Sequence, residues 1–311
     1  MTQEKTADLL TTAIAEAAAR IENARAKINL ALHVVGRRDD GYHALDSLVV
    51  FTELSDALTA YRRDDPTIEL GIDGDFADLL AETTPPGSNL VYAVADALMR
   101  TFPDRVAGGV RLDLVKQLPL AAGIGGGSAD AAATLRLLNR IWRLGLSTEQ
   151  MIDLGASLGA DVPACVLSRP ARIEGIGERV TPVAILPEMP VVLVNPGVAV
   201  QTVEVFRRLR NPEKPALPPL PDRPVSIMEL VFWLRRTRND LFEPACAIAP
   251  EIERAVRLLA ADEDCVFARM SGSGATVFGI FLSIEAATAA AARLRDARPD
   301  WWVAVTWTEG S

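Results

Sequence analysis

Three groups of residues stand out in the chain: a glycine-rich loop, a Lys and an Asn two positions apart, and an Asp close before a proline. The first is the stretch 117–134, QLPLAAGIGGGSADAAAT, where four glycines fall within five positions ahead of a Ser and an alanine-rich run. Glycine lacks Cβ, reaches φ > 0 without strain and lets successive N–H groups converge on an anion. A helix N-terminus behind such a loop adds unpaired N–H donors and partial positive charge. GIGGGS followed by a helix is therefore built to cradle phosphate. The second group is Lys27 and Asn29, two apart in a segment of period-two alternation, which puts both side chains on one strand face about 7 Å apart. The third is Asp161, in GADVP. Each has a plainer reading. A lone glycine loop also serves as a connector, Lys27 and Asn29 also suit the wet face of an antiparallel strand, and Asp ahead of Pro163 also suits a helix N-cap.

Details around the loop exclude several phosphate-binding classes. A Walker loop requires Lys before its Ser or Thr, and here Gly127 precedes Ser128. A dinucleotide fingerprint wants Gly or Ala where Ser128 stands, within a regular βαβ frame that the chain lacks. Protein-kinase HRD and DFG signatures are absent, as is a GxSxG elbow.

The elements that must position these residues mix strands and helices without regular alternation, which predicts an α+β fold. Residues 24–35 and HALDSLVVFTEL read as a hairpin about the turn GRRDDGY, with ALTAYR and TIELGI as further short strands. SNLVYAVADALMRTF reads as a helix with Ser88 at its N-cap, and STEQ at 147–150 as a capping box. Leu135, Leu138 and Trp142 form the apolar stripe of a helix running from Ser128. CVFARMSGSGATVFGIF reads as one strand, and 212–224, with six prolines in thirteen residues, as an exposed excursion.

Composition bounds the partners. The 311 residues carry 49% hydrophobic and 23% charged side chains and a net charge of −9. That balance fits a globular protein and speaks against a nucleic-acid or anionic-membrane partner, which needs a clustered basic face. Cys165, Cys246 and Cys265 are odd in number and far apart, with no CxxC, which points to a reducing cytoplasm rather than disulfides or zinc. Residues 1–20 lack the basic and apolar regions of a signal peptide. No obligate protein partner is implied.

Residues 119–130 resemble the ATP loop of the GHMP small-molecule kinases, a family that includes galactokinase, homoserine kinase and mevalonate kinase. Lys27 on an N-terminal strand and SGSGATVF at 271–278, similar to the family's C-terminal glycine motif, occur in the family's order. ARAKINLALHVVGRRDDGYHAL, LGADVPACV and VNPGVAVQTVEVF narrow the likeness, which spans roughly residues 22–285, to family members acting on a cytidylylated sugar alcohol. Homoserine and mevalonate kinase types, or a non-catalytic nucleotide-binding regulator, are the competing readings.

The resemblance implies a two-domain architecture, each domain a mixed or antiparallel sheet packed with helices and the active site in the cleft between. Residues 1–20 would be an extension, 21–175 the ATP-binding domain and 176–311 the C-terminal domain. It implies ATP as phosphoryl donor, Asp161 as the base that takes the hydroxyl proton, and Lys27 beside it keeping it ionised. Lys116 would approach the phosphates. The loop Pro119, Leu120, Ala121, Ala122, Gly123, Ile124, Gly125, Gly126, Gly127 and Ser128 would wrap them. Asn29, Asp161 and Thr202 would contact the substrate, with Tyr42 and Phe206 on opposite faces of the base and His43 reading its edge. Mg²⁺ is expected with ATP; no Glu is assignable as its ligand, and Ser128 is the candidate. His33 is expected to be structural.

Overall fold

Apolar alternation in residues 24–34 makes a strand, and burial of that strand on both faces sets the architecture around it. The computed structural model describes residues 20–106 and 108–310, so the expected extension lies outside the described residues except for Arg20. β1 (Ile21–Arg37) and β2 (His43–Arg62) form the expected antiparallel hairpin, with ALTAYR the far half of β2 rather than a separate strand. The register shifts between Arg25 and Lys27 and again between Asn29 and Ala31. Such bulges bend a strand and re-aim its side chains, and here they bracket Lys27 and Asn29.

β3 (Ile68–Asp73) runs parallel to β4 (Val110–Val115), which pairs antiparallel with β2. β5 (Ala171–Gly175) also pairs with β2, and β6 (Arg179–Pro182) pairs with β5. After the short α1 (Ala77–Thr83), α2 (Leu90–Thr101) and α3 (Gly126–Ile141) close one side of this sheet. Val91, Leu98, Leu135 and Leu138 pack there with Leu58 and Leu112. α4 (Thr148–Ala156) opens on the expected Ser147–Gln150 capping box, and α5 (Val162–Leu167) follows. The N-cap of α2 is Asn89, whose Oδ1 accepts from the Val91 N–H at 2.9 Å. Ser88, expected in that role, instead donates its hydroxyl to the Pro85 carbonyl.

The second half contributes β7 (Met189–Asn195), β8 (Phe267–Met270), β9 (Val277–Ile280) and β10 (Trp302–Thr308) in the antiparallel order β10-β7-β9-β8. Its helices are α6 (Thr202–Arg207), α7 (Ile227–Leu234), α8 (Phe242–Cys246), α9 (Glu251–Ala260) and α10 (Ile284–Ala297). Ile252, Leu259, Ala287 and Phe281 form its core with Val192 and Val194. Thr308 pairs with Thr52, so β10 joins β2 and the sheet runs on from one half to the other. A third cluster sets Ile28, Leu30, Leu48 and Val50 against Leu193, Trp233 and Phe278. It buries the remaining face of the β1–β2 hairpin. The expected α+β class holds.

Two segments differ from their sequence reading. CVFARMSGSGATVFGIF is two strands, β8 and β9, with residues 271–276 as the turn between them. The proline-rich segment is a tethered strap. The His33 Nδ1–H donates to the Pro215 carbonyl at 3.0 Å while its Nε2 accepts from the Arg238 N–H at 3.1 Å, so His33 is structural as expected. The Leu217 N–H bonds Asp46 at 2.8 Å, the Trp233 indole N–H bonds the Pro219 carbonyl at 2.9 Å, and Leu217 is buried in the third cluster.

Candidate active site

Lys27 emerges from β1 between the two bulges and is only 3% exposed, which removes the wet-face reading. Its ammonium donates to Asp161 Oδ1 at 2.7 Å and to Asn29 Oδ1 at 3.2 Å. Asn29 in turn donates to the Ser47 hydroxyl at 2.8 Å, which fixes the orientation of its amide. Asp161 stands at the N-cap position of α5 but makes no capping hydrogen bond; its carboxylate turns to Lys27 instead. The pair is asymmetric. The ammonium is sealed in, whereas the Asp161 side chain is 45% exposed, so one carboxylate oxygen can reach an incoming hydroxyl.

The glycine loop lies directly against this pair. Gly125, at φ +66°, forms the left-handed N-cap of α3, and a Cβ there would sit 3.2 Å from Lys27 Cε. The Lys27 N–H donates to the Ile124 carbonyl at 2.9 Å, tying strand to loop. α3 starts at Gly126, two residues before the expected Ser128, so the N–H groups of Gly126, Gly127 and Ser128 belong to its first turn and face the loop's mouth. Ala121, at φ +48°, and Gly123, at φ +71°, complete the curl.

A second glycine turn braces the first. Ser271, fully buried, accepts from the Asn29 N–H at 3.1 Å and donates to the Gly123 carbonyl at 2.9 Å. The Thr276 N–H reaches the Ala122 carbonyl at 3.0 Å. A Cβ on Gly123 would lie 2.5 Å from the Ser271 carbonyl oxygen, so these two backbones touch only because Gly123 is glycine. Sequence reading assigned no role to Ser271; its signal is the SGSG repeat, which a strand interior has no use for.

Lys116 departs from its expected role. Its ammonium is 1% exposed, bonds Asp56 and reaches Asp130 at 2.7 Å beneath the loop. Burial opposes its charge, but the Asp130 and Asp56 carboxylates outweigh that and hold its pKa above the ordinary lysine value. Burial pushes the Asp130 carboxyl up to about 7. Asp56 also accepts from the Gln117 and Leu118 N–H groups at 2.6 and 2.8 Å, fixing the chain where it leaves β4 for the loop. With both carboxylates engaging it below α3, Lys116 is a brace under the cradle rather than a phosphate contact. Nearby Cys165 is buried, which pushes its thiol up to about 12 and leaves it inert.

At the far end of the hairpin, the His43 ring stacks on Phe206 with centroids 5.1 Å apart and planes at 26°. Tyr42 is 62% exposed, because its N–H is held by Asp40 in the 38–42 turn and its ring projects outward. The structure thus brings His43, not Tyr42, onto Phe206. Burial and then the Arg37 charge lower the His43 pKa, favouring a neutral ring that can both donate and accept. Thr202 opens α6, its hydroxyl 2.8 Å from that of Ser273.

A sheet-and-helix scaffold that sets a glycine cradle against a buried Lys and a half-open Asp defines a small-molecule kinase of the phosphate-loop type. Comparison with known proteins agrees. Residues 89–169 match the GHMP kinases N terminal domain, and residues 223–300 match the GHMP kinases C terminal domain. The 4-diphosphocytidyl-2-C-methyl-D-erythritol kinase of Chelativorans sp. (strain BNC1) is 45% identical over 93% of this chain and 96% of its own. The protein of that name from Dinoroseobacter shibae is 48% identical over 91% and 93%. A crystal structure of 4-(cytidine 5'-diphospho)-2C-methyl-D-erythritol kinase superposes with a TM-score of 0.75 at 31% identity, covering 94% of this chain and all of that one. Homoserine kinase from Cytophaga hutchinsonii, at 13% identity and a TM-score of 0.66, shares the fold. The chain belongs to the GHMP kinase family, in the branch of the 4-diphosphocytidyl-2-C-methyl-D-erythritol kinases.

Proposed function

We propose that the chain transfers the γ-phosphoryl group of ATP to the 2-hydroxyl of 4-diphosphocytidyl-2-C-methyl-D-erythritol, giving the 2-phosphate and ADP, in the non-mevalonate route to isoprenoid precursors. The carrying observation is the 2.7 Å Lys27–Asp161 pair set against the glycine loop, in a chain whose relatives bear that enzyme's name. Asp161 accepts the hydroxyl proton as the oxygen–phosphorus bond forms and the β–γ bridge breaks, the electron pair leaving with ADP. Lys27 holds the Asp161 carboxylate in place. The first-turn N–H groups of α3 and the curl from Gly123 to Gly127 stabilise the phosphate charge. At the other end, Phe206 with the His43 ring stacked on it would frame cytosine and Thr202 would give a polar contact, while the exposed Tyr42 ring would have to turn inward to cover the base's other face.

Mg²⁺ belongs to this reading as a passenger of the nucleotide. Among the described residues no three His, Cys, Asp or Glu side chains cluster to hold a metal; an ion arriving with the nucleotide would be held mainly by phosphate oxygens and water. Ser128, in the first turn of α3, is the side chain that would join it, and the ion would supply charge neutralisation. Among the described residues no helix is long and apolar enough to cross a membrane. The three free cysteines fit a reducing compartment, so the cytoplasm is part of the proposal, with no obligate protein partner.

A coupled ADP-release assay tests the reading. ADP should appear with ATP and the cytidylylated substrate, and far more slowly with the uridylylated analogue, because unmet buried polar groups cost about 1–3 kcal/mol each. Equal turnover of both substrates, full activity on free methylerythritol, or activity on homoserine or mevalonate instead, would overturn it.

A further inference from the structure

The helix that carries Phe206 is poorly held by its own packing. α6 has six residues, too few to be stable alone. Thr202 is exposed, Val203 is 69% exposed, and Val205 is its one fully buried side chain. Its first residue is nevertheless fixed: Thr202 Oγ1 lies 2.8 Å from the hydroxyl of Ser273, in the turn between β8 and β9. A second tie runs in parallel. Asn195, at the end of β7, donates to the Thr276 hydroxyl at 3.0 Å and accepts from the Gly197 N–H at 2.8 Å, anchoring the chain that leads into α6 to the same turn.

That turn is also what braces the phosphate loop, through Ser271 to Gly123 and Thr276 to Ala122. Residues 271–276 therefore hold the chain into α6 with the Ser273 and Thr276 hydroxyls, and the glycine loop with the Ser271 hydroxyl and the Thr276 N–H. Asn239 stiffens the turn from beneath, its amide donating to the Met270 and Gly272 carbonyls at 2.9 Å each. A stiff element joined to both a weakly packed helix and the glycine loop transmits ordering: a ligand that fixes one end lowers the ordering penalty at the other.

We propose that Ser273 is a positioning residue that couples the two substrates, so that the cytidine-linked polyol and ATP each raise the other's affinity through the 271–276 turn. Ser273 need touch neither ligand; its hydroxyl sets α6, and through α6 the Phe206 ring. The inference rests on the proposed reaction, and the test separates the two.

The measurement is calorimetric titration of a non-hydrolysable ATP analogue into the full chain, with and without saturating cytidylylated substrate. Wild type should bind the analogue about fivefold or more tightly when the substrate is present, and reciprocally. Ser273→Ala should retain each separate affinity within about twofold while the coupling falls toward one. Ser273→Thr, which keeps the hydroxyl, should restore it. A wild type without coupling, or a folded Ser273→Ala with coupling intact, overturns the proposal. So does a Ser273→Ala that loses substrate affinity equally with and without nucleotide, because Ser273 would then be a direct contact. A wild type that binds the ATP analogue but no cytidylylated substrate overturns the proposed reaction instead.

Discussion

Two lysines flank the same glycine loop, each buried and each paired with aspartate, yet their surroundings give them different work. Lys27 faces Asp161, whose side chain is 45% exposed; Lys116 faces Asp56 and Asp130, both sealed at 0% and 5%. An open carboxylate can exchange protons with a substrate, whereas a closed one can only hold its neighbour. On the proposed reaction, what separates the two sets is the exposure of the acid rather than the presence of the pair. The closed set does structural work, since Asp56 also fixes the two N–H groups that lead into the loop.

The largest effect that can break this contrast is on turnover. Asp161→Asn keeps an oxygen to accept from Lys27 but removes the base, so kcat should fall by about 10²–10⁴-fold with nucleotide affinity and Tm little changed. Single-turnover kinetics beside a thermal melt would read both, and a near wild-type kcat would remove Asp161 from the chemistry. Lys116→Met should act in the opposite sense on the two readouts. It leaves two buried carboxylates without their cation, a loss of about 3–5 kcal/mol in a urea titration, and wild-type stability would show that the closed set is no brace.

Gly125→Val lies between the two lysines in kind. It places a branched side chain at φ +66°, against Lys27 Cε. Strain of about 1–3 kcal/mol should weaken ATP-analogue binding roughly tenfold or more in a folded protein, and unchanged affinity would refute the cradle. The smallest effect concerns pH. Burial and then Arg238 lower the pKa of His33, so the folded state binds its proton less tightly than the unfolded chain. Stability from this group is therefore present above the unfolded value of about 6.5 and is lost as pH falls from there through the folded pKa. His33→Gln should flatten the stability–pH curve in that window, and an unchanged slope would mean that the strap's anchor does not titrate.

What could be read from the chain beforehand follows from how local each cause is. The glycine loop and the Ser147 capping box were legible because a backbone that needs φ > 0 or a capped N–H names its residue within a few positions. Lys116 was misread because a lysine at a strand end looks the same whether it meets solvent or two carboxylates 14 and 60 residues away. The strap was misread for the same reason: prolines announce that no helix or central strand continues, but the tethers at His33, Asp46 and Trp233 come from elsewhere in the fold. SGSGAT passed for strand because the apolar residues flanking it do belong to strands. At the far end of the hairpin, the sequence names His43, Tyr42 and Phe206 alike, yet which ring meets which is fixed by the direction of a five-residue turn.

The hydrogen bond from Asn29 to Ser271 spans 242 positions. A ribosome emits the strand that carries Lys27 and Asn29 long before the turn that supports it. Until the 271–276 turn emerges, Gly123 has no hydroxyl to accept from and the Asn29 N–H has no acceptor, so the nascent chain can build its first helices but not its nucleotide site. Closure over such separations is slow. Any product cut short before Ser271 would carry Lys27, Asp161 and every glycine of the loop, and still be unable to hold them in register.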